Sequence, residues 1–272
     1  MPEAPGWRVR VVPNKFPAVQ LESETPVADG GHRARPGNGV HEVIVESPWH
    51  DVEPAGMSAA ELGAIIDVYR ERSRILLHRD GIAAVILFRN YGQRAGASLA
   101  HPHAQIIALN LVPPRVAAIG EWGRSYHSAH GRCALCDELD IECRNGVRLV
   151  DGNEHFVALV PFAAQHPCEL WLVPKRHQAS FTALDEKELP AFAGLLGRTL
   201  RRLQVALDDP PYNFVVDSAP KGEREAPHWH WRLRIVPDVA TWGGFELGGG
   251  LPINPSSPED DARRLRATDI GS

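Results

Sequence analysis

The chain reads as an α+β protein built twice over, each copy an antiparallel sheet with one packed helix. Two observations carry this reading. His101-Pro102-His103-Ala104-Gln105 returns 127 positions later as His228-Trp229-His230-Trp231-Arg232. At the same offset Ser47-Pro48-Trp49-His50 falls on Pro174-Lys175-Arg176-His177, Glu42 on Glu169, Glu61-Leu62 on Glu188-Leu189 and Asn90 on Asp217. So long a period exceeds the ~20–50 residues of a solenoid unit and suits a whole small domain. The expected layout is a first domain over 1–110, a link over 111–132 and a second domain over 133–272.

The elements follow in order. Trp7 to Val12 and His41 to Val45 alternate or run β-branched and read as strands, separated by a polar Gly/Pro-rich loop from Glu22 to Gly39. Ser58 stands three residues before Glu61, the spacing of a capping box, and Leu62, Ile65, Ile66 and Tyr69 recur at helical spacing up to about His78. Ala83 to Phe88 reads as a buried strand, Asn90 to Ala97 as a Gly-containing loop, and Gln105 to Leu109 as a strand. His101 and His103 thus sit where loop becomes strand. The second copy predicts strands over Phe156 to Val160, Glu169 to Val173, Tyr212 to Val216 and His230 to Val236, with a helix from Asp185 to Leu207. After Pro237 the tail is Gly-rich, then polar, with a short helix around Glu259 to Arg266.

Composition narrows the function classes. The 272 residues are 43% hydrophobic and 23% charged, ordinary for a folded globular protein. A net charge of −5 supplies no basic field for nucleic acid. No apolar run approaches the ~20 residues of a membrane helix, and Met1-Pro2-Glu3-Ala4-Pro5 lacks the charge and apolar stretch of a signal peptide. A cytoplasmic protein is expected. Of its four cysteines, Cys133 and Cys136 form a close pair that reads as metal-binding, not as part of a disulfide framework.

Successive strand side chains alternate faces, so His101, His103 and Gln105 point the same way. An imidazole with its second nitrogen held by a carbonyl can attack a phosphoryl centre, and a nearby amide can bond phosphate oxygens without supplying an acidic proton. A third histidine in place of Gln105 would protonate a leaving group and favour turnover to water. A bare His-x-His also fits a metal-ligand pair or a plain polar strand face. Asn90, Gly92, Gly96 and Ser98 lead into the motif with backbone and small side chains that can approach a phosphate.

Phe88-Arg89-Asn90-Tyr91-Gly92, Gly96-Ala97-Ser98 and His101-Pro102-His103-Ala104-Gln105 together resemble the active-site segment of galactose-1-phosphate uridylyltransferases, a two-domain branch of the histidine-triad superfamily. Val12 to Ala18, His41-Glu42-Val43-Ile44-Val45 with Ser47-Pro48, and Gly244-Phe245-Glu246 resemble further family segments, so the likeness spans nearly the whole chain. The resemblance implies ping-pong transfer of UMP from UDP-glucose to galactose 1-phosphate through a uridylyl-histidine on His103. It assigns Gln105, Ser98 and Gly96 to the phosphate contacts, Asn90 to the nucleophile's loop, Asn14 and Phe16 to the nucleoside, and Glu246 to hexose hydroxyls. The partners it implies are a nucleotide sugar, a hexose 1-phosphate and a second copy of the chain in a homodimer, with neither nucleic acid nor membrane.

The resemblance further implies a structural zinc on Cys133, Cys136, His177 and His228, a Cys₂His₂ set with no open position, and no organic cofactor. By the 127-residue offset the first copy supplies His50 and His101, but Gly6 and Val9 stand where its cysteines belong. Either the natural protein is longer at its start, or this site is incomplete and the two histidines are merely hydrogen-bonded. The resemblance implies that the family usually carries this cysteine pair and a preceding arginine-bearing segment upstream of the stretch matching Trp7 to Val19, which contributes nucleotide-binding arginines across a dimer interface. Ala104 stands where the family's best-known members have Gly, and Lys15 replaces an acid near the nucleoside, which loosens the expectation for base and sugar. In the second copy His230 takes the nucleophile's place, with Arg232 for the amide, and Trp229 and Trp231 crowd the strand, so catalysis is expected in the first copy alone. An ADP-sugar phosphorylase on the same scaffold, a histidine-triad hydrolase and an inactive zinc-stabilised binding protein remain as alternatives.

Overall fold

The computed structural model describes residues 6–22, 36–239 and 243–271. Among them the first copy contributes β1 (Arg10–Pro13), β2 (Gly39–Val45), α1 (Ala59–His78), β3 (Ala84–Tyr91) and β4 (His103–Leu109). Two helices follow, α2 (Pro114–His130) and α3 (Ala134–Asn145). The second copy runs β5 (Leu149–Gly152), β6 (Phe156–Leu159), β7 (Leu170–Pro174), α4 (Leu189–Ala206), β8 (Tyr212–Asp217) and β9 (Arg232–Pro237), then α5 (Gly244–Gly249) and α6 (Pro258–Ala267). Most of the Glu22 to Gly39 loop lies outside the described residues.

All the strands join one antiparallel sheet in the order β1-β2-β4-β3-β8-β9-β7-β6-β5. The order reads outward from its middle as two copies of one plan meeting at β3 and β8, with β5 added at one edge. The fold is the duplicated α+β architecture predicted, with the two copies sharing a single sheet.

The capping box at α1 forms as its spacing predicts: Ser58 Oγ accepts from the Glu61 amide at 3.3 Å, and Glu61 Oε2 accepts from the Ser58 amide at 2.8 Å. Leu62, Ile65, Ile66 and Tyr69 turn into the core, as their helical period demands. α4 starts at Leu189, four residues later than predicted, because Asp185 to Glu188 close a turn, with the Glu188 amide donating to the Asp185 carbonyl at 3.0 Å. α1 and α4 lie side by side on one face of the sheet. There a Cβ on Gly197 would come within 2.8 Å of Leu62 Cδ1, so glycine permits the close approach. Phe156, Phe181 and Phe192 pack around the fully buried Trp231 beneath this layer.

The other face is covered unevenly. Over the second copy α3 lays Leu135 and Leu139 against Val157, Leu159 and Val173. In β4, Ala104, Ile106 and Ala108 are 0% exposed and face the core. Strand alternation therefore sends His103 and Gln105 to the face away from α1. α2 and α3 were not foreseen within and beside the link. α2 carries glycines where it crosses β9's approach: a Cβ on Gly123 would stand 2.7 Å from the His228 carbonyl, and one on Gly120 3.0 Å from Trp229.

The register corrects the alignment of the two copies. Phe88 pairs with Gln105 across β3 and β4, and Val215 with Arg234 across β8 and β9. The first members stand 127 apart and the second 129, so the connection between β8 and β9 is two residues longer than its counterpart. Arg232, not His230, therefore occupies the level of His103, and Arg234 that of Gln105; both guanidinium Nε atoms sit 3.1 Å from Asp217 Oδ2. His230 is the counterpart of His101: their Nε2 atoms meet the carbonyls of Pro174 at 3.0 Å and Ser47 at 2.7 Å, again 127 apart.

Candidate active site and metal cluster

His103 opens β4 and is 6% exposed. Its Nδ1 donates to the His101 carbonyl at 2.8 Å, and since a carbonyl only accepts, the neutral ring carries its proton on Nδ1 and its lone pair on Nε2. Nε2 has no hydrogen-bond partner among the described residues. The ring lines a cavity of about 540 Å³ together with Asn90, Gly92, Ser98, His101 and Glu53.

The connection from β3 to β4 forms the cavity's rim. Gly92 and Gly96 take φ of +80° and +88°, in the left-handed region that favours glycine. Asn90 Nδ2 donates to the Gly96 carbonyl at 3.3 Å, folding the loop over itself. Asn213 of β8 closes it from the other copy, its Nδ2 reaching Asn90 Oδ1 at 2.9 Å and the Ala95 carbonyl at 2.7 Å.

Asn14 lies just past β1, where its Oδ1 accepts from the Phe16 amide at 2.9 Å and its Nδ2 lies 3.1 Å from His41 Nε2 and 3.4 Å from Gln105 Oε1. Phe16 is 80% exposed, its ring beneath Lys15 Nζ. Glu246 sits on α5, where Oε2 accepts from the Gly243 amide at 3.0 Å; among the described residues no hydrogen bond joins it to the His103 strand. The structure thus brings Asn14, Asn90, Gly96, Ser98, His103 and Gln105 around one sheet region and leaves Phe16 and Glu246 at the surface.

Three groups here were given no role in the site from the sequence. His41 lies on β2 with Nε2 2.9 Å from Gln105 Oε1. Arg89 of β3 is buried, its side chain 2% exposed; its Nε is 2.9 Å from Glu46 Oε2, and it also reaches Glu53 and the Tyr212 hydroxyl. Tyr69 donates to Glu46 from below, and burial pushes its hydroxyl pKa up. Burial likewise raises the Glu53 carboxyl, against the pull of Arg89. The network clamps the segment after β2, with Ser47 and His50, to the sheet. The one sequence signal was an arginine in phase with Leu87 on the strand's core side. Arg89→Leu would strand Glu46 as an unpaired buried charge, and an expected loss of about 3–5 kcal/mol is checked by urea unfolding.

The candidate metal ligands gather where the chain leaves β7 and enters β9, beside the start of α3. Ligand atoms of Cys133, Cys136, His177 and His230 all lie within 4.8 Å of one another, so these four could hold a metal ion. Cys136 Sγ is 3.3 Å from His177 Nδ1 and 3.4 Å from His230 Nδ1. Such spacings match the edges of a tetrahedral sulfur and nitrogen site. The Cys136 thiol, hydrogen-bonded to Cys133, pulls the Cys133 pKa far down, and Cys136 is pushed up in turn. His228, expected in this set, is elsewhere: its Nε2 lies 2.8 Å from Glu223 Oε2. The longer β8–β9 connection explains the exchange, since it moves His230 to the level of His101. In the first copy His50 and His101 meet at 3.0 Å between Nδ1 atoms, with no third Cys, His, Asp or Glu ligand completing a cluster among the described residues.

Comparison with known proteins identifies the family. Residues 7–113 match the family described as galactose-1-phosphate uridyl transferase, N-terminal domain. An ADP-glucose phosphorylase of Arabidopsis thaliana is 36% identical over 98% of this chain and 76% of its own length. A galactose-1-phosphate uridylyltransferase of Thermotoga maritima is 30% identical over 94% of this chain and 83% of its own. A crystal structure of an Arabidopsis thaliana ADP-glucose phosphorylase with bound ADP-glucose superposes with a TM-score of 0.88 at 34% identity, covering 99% of this chain and 84% of that one.

Proposed function

The chain belongs to the galactose-1-phosphate uridylyltransferase family, and from that premise we propose that it moves a nucleotidyl group between phosphate oxygens through a covalent adduct on His103. A nucleotidyltransferase on this scaffold is supported by the relatives on both sides of the family. The observation that carries the reading is the His103 ring, with Nδ1 engaged by a carbonyl and Nε2 unpartnered beside a cavity.

In the first half-reaction the Nε2 lone pair forms a bond to the α-phosphorus of a nucleotide sugar. The bond from that phosphorus to the bridging oxygen breaks, and the electron pair leaves on hexose 1-phosphate. A phosphate is a stable anion at neutral pH, so the step requires no acid at position 105. The Nδ1–H bond to the His101 carbonyl stabilises the positive charge of the adduct ring. In the second half-reaction an acceptor phosphate oxygen attacks the same phosphorus, and the pair of the N–P bond returns to Nε2. Gln105, Ser98 and Gly96 would meet the phosphate oxygens, Asn90 would hold the loop, Asn14 and Phe16 would face the nucleoside, and Glu246 would meet hexose hydroxyls. The first reading of the substrates is UDP-glucose as donor and galactose 1-phosphate as acceptor. The 36% identity to an ADP-glucose phosphorylase favours a second reading, with ADP-glucose as donor and inorganic phosphate as acceptor.

For Cys133, Cys136, His177 and His230 we propose zinc. Two thiolates and two imidazoles suit it, and His230 Nε2 donating to the Pro174 carbonyl orients the ring as a ligand. Four protein ligands would leave no place for water, so the ion would pin the approach to β9 without entering the reaction. Phe245, Leu247, Leu251 and Ile253 are exposed on α5 and the tail after it, which supports a second copy of the chain as a partner.

Intact-mass measurement after mixing the protein with UDP-glucose or ADP-glucose tests the reading. A gain of one uridylyl or adenylyl group is expected, and it should discharge on adding galactose 1-phosphate or phosphate respectively. Steady release of nucleotide without an adduct would replace transfer by hydrolysis, and no reaction with either donor would leave a binding protein.

A further inference from the structure

Gln105 has two ends of opposite character, and only its amide nitrogen can donate to a phosphate. We infer that His41 is a positioning residue that locks Gln105 with that nitrogen toward the donor phosphate and ties it to the chain around Asn14; this rests on the nucleotidyl-transfer reading. The Ala18 backbone amide points at His41 Nδ1 at 3.0 Å. A backbone N–H can only donate, so Nδ1 must accept, and the proton of the neutral ring stands on Nε2. That proton is directed at Gln105 Oε1, 2.9 Å away. Asn14 is oriented by the Phe16 amide on its Oδ1, which sets its Nδ2 3.1 Å from His41 Nε2 and 3.4 Å from Gln105 Oε1; with Nε2 protonated, only the Gln105 oxygen can accept from it.

The oxygen of Gln105 therefore receives two donors, as many as its lone pairs. Its Nε2 carries two protons with no partner among the described residues. Turning the amide over would set its NH₂ against the His41 and Asn14 protons, three donors facing one another without an acceptor. One orientation survives, and in it a phosphate oxygen meets a donor in place of a repelling carbonyl. His41 is 9% exposed and belongs to β2, one strand away from the nucleophile, so it shapes the site without touching the reacting atoms. Because its Nδ1 is held by Ala18, displacement of the Asn14 to Ala18 segment is felt directly at the phosphate contact. Nucleoside recognition and phosphate orientation are thereby coupled through one ring.

The test combines rates with a tautomer measurement on the full chain. His41→Phe keeps the ring's shape and removes both bonds; it is expected to slow nucleotidyl-enzyme formation at saturating donor by about 10-fold or more, with donor KM within about 3-fold of wild type. His41→Gln can accept from Ala18 and donate to Gln105, and it should recover most of the rate. In a Gln105→Leu background His41→Phe should cost nothing further. Equal losses in both backgrounds would overturn the inference while leaving nucleotidyl transfer intact. Histidine ¹⁵N spectra read the geometry without any turnover: Nε2–H at His41 is expected, and Nδ1–H would overturn the hydrogen-bond chain even in a protein that proved inactive on both donors.

Discussion

Replacing His103 by alanine is expected to remove the covalent adduct and lower turnover by about 10⁴-fold or more, the scale seen when a nucleophile acting through a covalent intermediate is deleted. The residue is held by one bond, Nδ1 to the His101 carbonyl, and removing its ring leaves the sheet pairing of β4 in place. Folding should therefore survive, and donor binding should persist at a measurable KM or by calorimetry. Intact mass reads the adduct and a coupled assay reads turnover. His103→Ala that still gained a nucleotidyl group would move the nucleophile elsewhere in the cavity, with His101 the next imidazole on its wall.

The second large effect concerns the metal. One zinc per chain is expected by elemental analysis. Cys133→Ser and His230→Ala should lose it, whereas His228→Ala should keep it, since His228 faces Glu223. Loss of the ion leaves Cys133 and Cys136 together with two imidazoles at the start of β9, a stretch that also carries the buried Trp229 and Trp231. A structural ion that stabilises the fold by roughly 3 kcal/mol would shift Tm by about 5–10 °C in a chain of this size. Two zinc ions per chain would show that His50 and His101 also ligate, against the incomplete first site. Retention of zinc by His230→Ala would return the fourth position to His228.

Much of this was legible in the sequence, for a physical reason in each case. α1 announced itself because a capping box and a regular apolar stripe agree, and β3 and β4 because β-branched and apolar residues run together beside a glycine-bearing loop. The candidate nucleophile was legible because His101 to Gln105 is contiguous. Cys133 and Cys136 stood out for the same reason. What escaped depends on pairing between distant segments. His41 is one polar residue among many until β2 lies along β4 and sets it beside Gln105. Arg89 fell between the strand ending at Phe88 and the loop starting at Asn90, with no role of its own until Glu46 and Glu53 are seen to pair with it. The fourth member of the Cys/His cluster was misassigned because a fixed offset cannot register two extra residues in a loop; only the pairing of β8 with β9 reveals them. β5 was missed because it is four residues long at a sheet edge with an irregular register.

The seam between β3 and β8 gives the duplication a history as well as a shape. A sheet edge is a row of unpaired amides and carbonyls that invites other chains, and here each copy conceals the other's edge. Asn213 goes further, reaching from the copy with Arg232 and Arg234 to brace Asn90 and Ala95 in the copy with His103. Such a brace makes the loop geometry of one half depend on the other. The half with an arginine at the level of His103 serves as the scaffold of the half with an imidazole there, its shape fixed by the seam while its chemistry differs.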